Sequence, residues 1–335
     1  MKFDYVIGNP PYQGERQGTS NTTMPVYHNF MDAAYSVADK VELITPARFL
    51  FNAGRTPTEW NEKMLNDEHF KVLKYSPDGS MVFGNNVEIK GGVAISYRDA
   101  NKVFGKIEIF TQVSELQTIL KKVKQNTRSH ESLSAIIQVA TKFDLDNLQH
   151  DYPMYANRER RLSSNVLTFE CFHNEEGVDD IAVYGVINNK RVRKYINKKY
   201  IDMSQTNIGG YKVILPKADG NGSFGEVVTK PEVIKKNSGY THTFYGIGNF
   251  QDKDEANNTL SYTKTKFART LLSIVKVTQN VNAETWKYVP LQDFSSKSDI
   301  DWSKSVHEID LQLYKKYGLD ANEINFIETH VKPME

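Results

Sequence analysis

Phe3-Asp4-Tyr5-Val6-Ile7-Gly8-Asn9-Pro10-Pro11-Tyr12 is the stretch whose reading decides the fold. Residues 3–8 are short, β-prone and stopped by Gly8 and a pair of prolines, the pattern of a buried strand that ends in a loop. Outward from there, residues 13–23 are polar and rich in Gly, Ser, Thr and Asn. Apolar positions 26, 27, 30, 31, 34 and 35 then recur at helical spacing, and residues 40–44 read as a second strand ending at Thr45-Pro46. Strand, helix and strand in such close succession predict a βαβ unit with parallel strands, in which ligands bind beyond the strands' carboxyl ends. Asn9 and Thr45-Pro46 are therefore expected on one rim.

Further along, the pattern predicts a helix at 59–65, a strand at 70–75 and a turn at Pro77-Asp78-Gly79, then strands at 80–83 and 93–97. Two antiparallel strands closing a parallel sheet fit that end of the domain. Residues 112–128 turn helical and charged, as a connector would. The second half carries short aromatic-rich strands at 166–172, 181–187, 211–216 and 241–247, then a long helical stretch at 260–277. An amphipathic tail helix follows at 303–317, with Asp301 or Ser303 as its N-cap and Gly318 at its end.

With 39% hydrophobic and 25% charged residues over 335 positions, the chain has the composition of a soluble globular protein of two ordinary domains. The net charge of +1 conceals a cluster: Lys190, Arg191, Arg193, Lys194, Lys198 and Lys199 fall within ten positions that contain no acid. A polyanionic partner is thus compatible with the balance. The single cysteine, Cys171, excludes an intramolecular disulfide and a cysteine zinc cluster, and reads as a small buried apolar residue. No secretory leader pattern and no apolar run of about 18 residues is present, so a cytoplasmic protein without a membrane partner is expected.

The Asn-Pro-Pro-Tyr sequence suits one difficult reaction. Methylating an exocyclic amino group requires a nitrogen whose lone pair is delocalised into the ring, on a base buried in a duplex, so the base must first be extruded into a pocket with a stacking face. Two acceptors aimed at the amino hydrogens hold the nitrogen nearer to sp3 geometry and spread the developing positive charge. The Asn9 side-chain carbonyl can supply one and the Pro10 backbone carbonyl the other. Consecutive prolines, Pro10 and Pro11, remove competing N–H donors and fix φ near about −65°, and Tyr12 offers a π face worth about 1–3 kcal/mol per stacked base.

Residues 3–12 resemble the catalytic motif of N6-adenine-specific DNA methyltransferases, in particular the Eco57I-like and type I modification-subunit branch of restriction-modification enzymes. Residues 27–35 with 41–50 resemble the next helix and strand of that family, and 83–93 its last catalytic-domain strands, where a family aromatic packs on the flipped base; Phe83 is the candidate. Residues 212–216, 261–267 and 286–290 resemble the target-recognition region and tail. The resemblance implies an α/β fold: the C-terminal portion of a Rossmann-like S-adenosylmethionine-dependent methyltransferase sheet, then an α+β target-recognition domain. It divides the chain into a partial catalytic domain (1–111), a helical connector (112–135), a DNA target-recognition domain (136–300) and a helical tail (301–335). It implies double-stranded DNA as partner and S-adenosylmethionine as cofactor. The family's strand-turn-helix with a Phe-x-Gly-x-Gly-type turn, which binds that cofactor, lies upstream of the loop and is missing here. A chain or upstream segment supplying the cofactor-binding half is therefore expected, and activity of this polypeptide alone is not.

Three other patterns in the sequence bear on function. Gly220-Asn221-Gly222-Ser223-Phe224-Gly225 has the spacing of a dinucleotide loop, but strand-like residues 226–231 follow where a helix should open, so a hairpin is expected. Asp78 with Glu88 and Lys90 has the outline of a Mg-dependent restriction nuclease, although Pro-Asp-Gly reads equally as a turn. The histidines, His28, His69, His173 and His242 among them, show no paired metal-ligand spacing, and no metal site is expected. Residues 188–200 interleave the basic cluster with Tyr195 and Tyr200, and Arg158, Arg160 and Arg161 form a second cluster; both are candidates for phosphate contact or a solvated face. A recognition module acting with a separate catalytic chain is the alternative to a methyltransferase.

Overall fold

The computed structural model describes residues 3–14, 23–84, 89, 91–111, 113–127, 131–155, 158–204 and 207–334. The chain forms two compact units, Met1–Thr118 and Ile119–Glu335, with mixed α/β structure and, among the described residues, three small sheets. Among the described residues no helix is long and apolar enough to cross a membrane.

The first unit runs β1 (Phe3–Gly8), α1 (Tyr27–Val37), β2 (Ala38–Pro46), α2 (Thr58–Leu65), β3 (Phe70–Ser76), α3 (Ser80–Phe83) and β4 (Val93–Asp99). Its sheet has the order β1-β2-β4-β3. β1 is parallel to β2, while β4 is antiparallel to both of its neighbours. The strand-helix-strand expectation holds here. Alternation along β2 buries Val41, Leu43 and Thr45, and α1 buries Tyr27, Met31 and Ala34, the three- and four-residue steps of one helical face. Phe49 anchors this core, its ring 5.3 Å from Trp60 and 6.2 Å from both Tyr27 and Phe70. The Trp60 indole donates to Asp32 at 3.0 Å, and buried Asn61 joins Thr56 (2.7 Å) to Asn52 (2.9 Å), so these polar side chains are paired.

Residues 80–83 are one helical turn and not the expected strand. The Asp78 carboxylate accepts from the Ser80 amide (2.9 Å) and hydroxyl (2.8 Å), a local bond that draws the backbone away from a ladder. A single antiparallel strand, β4, therefore stands where a pair was expected. It enters through Gly92, whose φ of +78° is left-handed and whose carbonyl accepts from the Ala47 amide at 2.9 Å. A Cβ at Gly92 would lie 2.3 Å from the Ser76 carbonyl oxygen.

α4 (Ser114–Asn126) runs across the division between the units. The second unit continues with β5 (Ile137–Gln138), α5 (Leu145–Asp151), β6 (Asp180–Ile187), β7 (Lys190–Asn197), β8 (Tyr211–Pro216), β9 (Glu232–Ile234), β10 (Ser238–Tyr240), β11 (Phe244–Phe250), α6 (Lys253–Lys264), α7 (Lys266–Leu272), α8 (Val306–Lys316) and α9 (Ala321–His330). Its two sheets have the orders β10-β6-β7 and β5-β11-β8-β9.

Several elements of this unit differ from their sequence pattern. Residues 166–172 are not a strand: a 3-10 turn at Val166–Thr168 leads into buried Cys171 and Phe172, which pack with Val166, Leu167, Ile181 and Ile196. A short apolar run does not separate strand from packed loop by periodicity. Burial pushes the Cys171 thiol up to about 11. The strand expected at 241–247 begins only at Phe244. The long helix expected at 260–277 breaks at Thr265, which is extended (φ −58°, ψ 145°) and whose hydroxyl accepts from the Ala268 amide at 3.1 Å. Asp310 from α8 accepts from the amides of Lys266 (2.9 Å) and Phe267 (2.8 Å), so a carboxylate starts the new helix. The tail helix is capped by Ser305, in a capping box with Glu308, and not by Asp301 or Ser303; Gly318 at φ +66° follows its end as expected.

Lys212 on β8 is fully buried, and its ammonium nitrogen faces the carbonyls of Ser238 (2.8 Å) and Ile208 (3.3 Å). Burial lowers its pKa to about 7. The unfolded chain binds this proton up to about 10.5 and the folded chain releases it near 7, so stability contributed by this site grows as pH rises through that window. Denaturant unfolding should show a slope of up to about 1.4 kcal/mol per pH unit in wild type that Lys212→Met lacks. Equal slopes in the two proteins would contradict the neutral lysine. Gly92→Ala should lower stability by more than about 2 kcal/mol, through the left-handed backbone and the clash together. An unchanged unfolding midpoint would show that the turn tolerates a side chain.

Candidate functional site

The parallel ladder pairs Gly8 with Leu43, so the chain leaving β1 at Asn9 and the chain leaving β2 at Thr45-Pro46 stand on one rim of the sheet. Asn9 and Pro11 are exposed, and Pro10 and Tyr12 are half-buried. After Tyr12 the chain meets its own return: Val26 donates to the Tyr12 carbonyl (3.1 Å), Gly14 to the Met24 carbonyl (3.0 Å), and Thr23 to the Gln13 side chain (2.6 Å). These bonds fix the far end of the loop while β1 fixes the near end.

Tyr12 turns its hydroxyl toward the Ile44 carbonyl at 3.4 Å, and burial pushes its pKa up to about 12, which keeps the phenol neutral. Its ring lies 6.3 Å from the ring of Phe83 at an interplanar angle of 65°. Two of the residues singled out from sequence, 71 positions apart by their numbering (83 minus 12), are thus brought together. The helical turn of α3, imposed by the Asp78–Ser80 bonds, carries Phe83 to that position. Beside the rim, the fully buried Thr45 hydroxyl has no hydrogen-bond partner among the described residues.

Asp78 is exposed, and its hydrogen bonds from Ser80 hold the carboxyl below its ordinary range. Glu88 and Lys90, the other members of the nuclease pattern, lie outside the described residues. Among those described, no group of three or more His, Cys, Asp or Glu is arranged to hold a metal. The Gly220–Gly225 stretch joins β8 to β9, which pair antiparallel, as the hairpin expectation has it, although the strand begins at Glu232 and not at 226. The Glu226 carboxylate accepts from the amides of Asn221 (3.0 Å) and Gly222 (3.1 Å) and pairs with buried Lys276. A side-chain anion already occupies the donors that a phosphate would need.

The basic clusters are unevenly neutralised. Lys198 pairs with Asp179 (2.6 Å), Lys199 with Asp151 (2.6 Å), Arg160 with Asp202 (2.9 Å) and Arg161 with Glu159 (2.8 Å). Arg191 lies 3.4 Å from Glu232 and over the Phe244 ring, Lys194 bonds to Asn174, and Arg158 lies over the Phe169 ring at 5.2 Å. Arg193 lies over the Tyr195 ring at 5.5 Å. Missed in the sequence was the Asn188-Asn189 turn that joins β6 to β7, although an Asn pair between two strand-like runs is a hairpin signal.

Comparison with known proteins bears on the first unit. The sequence model of the family described as "Eco57I restriction-modification methylase" matches residues 1–83. A curated protein of Mycoplasma pneumoniae, described as an uncharacterized adenine-specific methylase, is 30% identical over 118 residues, which are 34% of this chain and 28% of that relative. Among solved structures, the Type IIL restriction-modification enzyme MmeI in complex with DNA aligns with a TM-score of 0.45 and 9% identity, over 98% of this chain and 56% of that one. The type IIG restriction endonuclease BpuSI aligns with a TM-score of 0.36 and 9% identity, over 92% and 48%. The chain thus spans about a quarter of the curated relative, by its 28% share, and about half of each solved structure. Residues 1–83, which carry β1, the Asn9-Pro10-Pro11-Tyr12 loop and Phe83, match the Eco57I restriction-modification methylase family.

Proposed function

We propose that the chain serves site-specific N6 methylation of adenine in DNA within a restriction-modification system, with the rim of the first unit as the pocket for a flipped adenine. The observation that carries this reading is the approach of Tyr12 and Phe83 beside an exposed Asn9, all within the residues that match a methylase family. Asn9 offers a side-chain carbonyl oxygen and Pro10 a backbone carbonyl, and neither proline has an N–H to compete for them. These acceptors take the two amino hydrogens of adenine, and Tyr12 stacks on the ring. A base held between both aromatics needs ring planes about 7 Å apart, twice the contact distance of about 3.5 Å, so Phe83 must turn and withdraw slightly as the base enters.

The methyl donor implied by the family is S-adenosylmethionine. The described residues do not fit it: the one glycine loop with nucleotide-binding spacing has its amides taken by Glu226. β1 supports a source for the donor. Phe3, Tyr5 and Ile7 on one face of this strand are 52%, 45% and 72% exposed, and among the described residues β1 pairs on one edge alone. Parallel strands are normally covered on both faces, and a bare apolar edge invites another strand. We read β1-β2-β4-β3 as the C-terminal portion of a Rossmann-like sheet that continues beyond β1, in an upstream segment or another chain that holds the donor. The second unit, with its basic clusters, is read as the DNA target-recognition part.

Binding to a duplex with an adenine opposite an abasic site, relative to the same duplex fully paired, tests the pocket. Wild type should prefer the unpaired adenine. Tyr12→Ala should lose about tenfold in affinity for it, matching a stacking term of about 1–3 kcal/mol. Asn9→Ala should lose the preference for adenine over a purine without the amino group. Both preferences surviving both substitutions would rule the pocket out.

A further inference from the structure

We propose that the tip of the β6–β7 hairpin, Asn188 and Asn189 with Lys190 and Arg193, enters a groove of duplex DNA and reads base edges there; this rests on the reading of the second unit as the recognition part. Register pairing runs to Ile187 opposite Lys190, which leaves a loop of two residues. Asn188 (φ 50°) and Asn189 (φ 60°) are both left-handed, the requirement of a type I′ turn and a conformation that asparagine tolerates. The turn is therefore held by the ladder, and its side chains are presented without the ordering penalty of a flexible loop. Asn188, Asn189 and Lys190 are all exposed.

The distribution of charge singles out the same place. Lys198, Lys199, Arg160 and Arg161 each have a carboxylate within 2.9 Å. Among the described residues no carboxylate pairs with Lys190 or Arg193. Arg193 is moreover held in one direction, hydrogen-bonded to the Tyr184 side chain and lying over the Tyr195 ring. Glu176 acts on Arg193 only through space, so two exposed cations without a direct ion pair, Lys190 and Arg193, stand next to the turn. A duplex groove is the partner that uses all of this. A two-stranded ribbon fits the major groove, about 12 Å wide, and an asparagine amide presents the donor and acceptor that match the N7 and N6 edge of adenine. Lys190 and Arg193 flank the tip as phosphate contacts.

The test is selection from a duplex library with a randomised core, using the full chain and, in parallel, Asn188→Gly/Asn189→Gly, Lys190→Gln and Arg193→Gln. Glycine suits both I′ positions, so the double variant keeps the hairpin and removes only the amides. Wild type should enrich a motif, and the double variant should lose roughly ten- to hundredfold of discrimination at one or two adjacent positions of it, with the rest retained. Lys190→Gln and Arg193→Gln should each weaken binding to all sequences and lower the salt slope by about 1. An identical motif and salt slope in every variant overturns the hairpin as reader while leaving the second unit as the recognition part. Failure of wild type to retain any duplex overturns both readings, independently of the adenine-pocket measurement.

Discussion

The ladder between β1 and β2 is the constraint on which the first unit depends. Because the two strands are parallel, both leave the sheet in the same direction, and the pairing of Gly8 with Leu43 sets their exits side by side. Asn9 then projects from a backbone whose near end is fixed by the sheet and whose far end is fixed by the bonds of residues 12–14 to 23–26. Two consecutive prolines stiffen what lies between. Phe83 reaches Tyr12 through a second fixed turn, the one that Asp78 and Ser80 impose. An exposed asparagine would otherwise be a mobile side chain; here its backbone has little freedom left.

Much of this rim was legible in the sequence because its signals are local. Apolar spacing gave β1, α1 and β2 within a few residues, and the glycine and prolines marked where the first strand stops. The failures share a cause. Residues 80–83 are apolar enough for a strand, but the Asp78 carboxylate on the Ser80 amide and the Val82 and Phe83 amides on the Gly79 carbonyl close a helical turn. The break at Thr265 depends on Asp310, 45 positions away by their numbering (310 minus 265), whose carboxylate supplies the helix start from another element. Residues 166–172 are apolar because they pack into a core as a turn, not because they alternate. Decisions made by a side-chain hydrogen bond or by packing leave no periodic trace.

The basic clusters show the same division. Six cations within ten positions look like one patch in the sequence, yet Asp179, Asp151 and Glu232 come from other elements to face Lys198, Lys199 and Arg191. What the count of cations suggested as a broad surface narrows to the hairpin end. Buried ionisable groups follow a related logic. Lys212 is surrounded by carbonyls and burial lowers its pKa, whereas Asp310 accepts two amides and is still pushed up to about 6 by burial. In neither case do the polar contacts fully offset desolvation.

The adenine pocket is measured most directly by NMR of the full chain with the Asn9 side-chain amide and the Tyr12 ring selectively labelled, titrated with a duplex that carries an adenine opposite an abasic site. Stacking in the pocket should give an upfield ring-current shift of the Tyr12 ring protons and a change at the Asn9 amide that saturate together, neither of which occurs with the fully paired duplex. Saturating binding of the unpaired adenine that leaves both signals in place would contradict it.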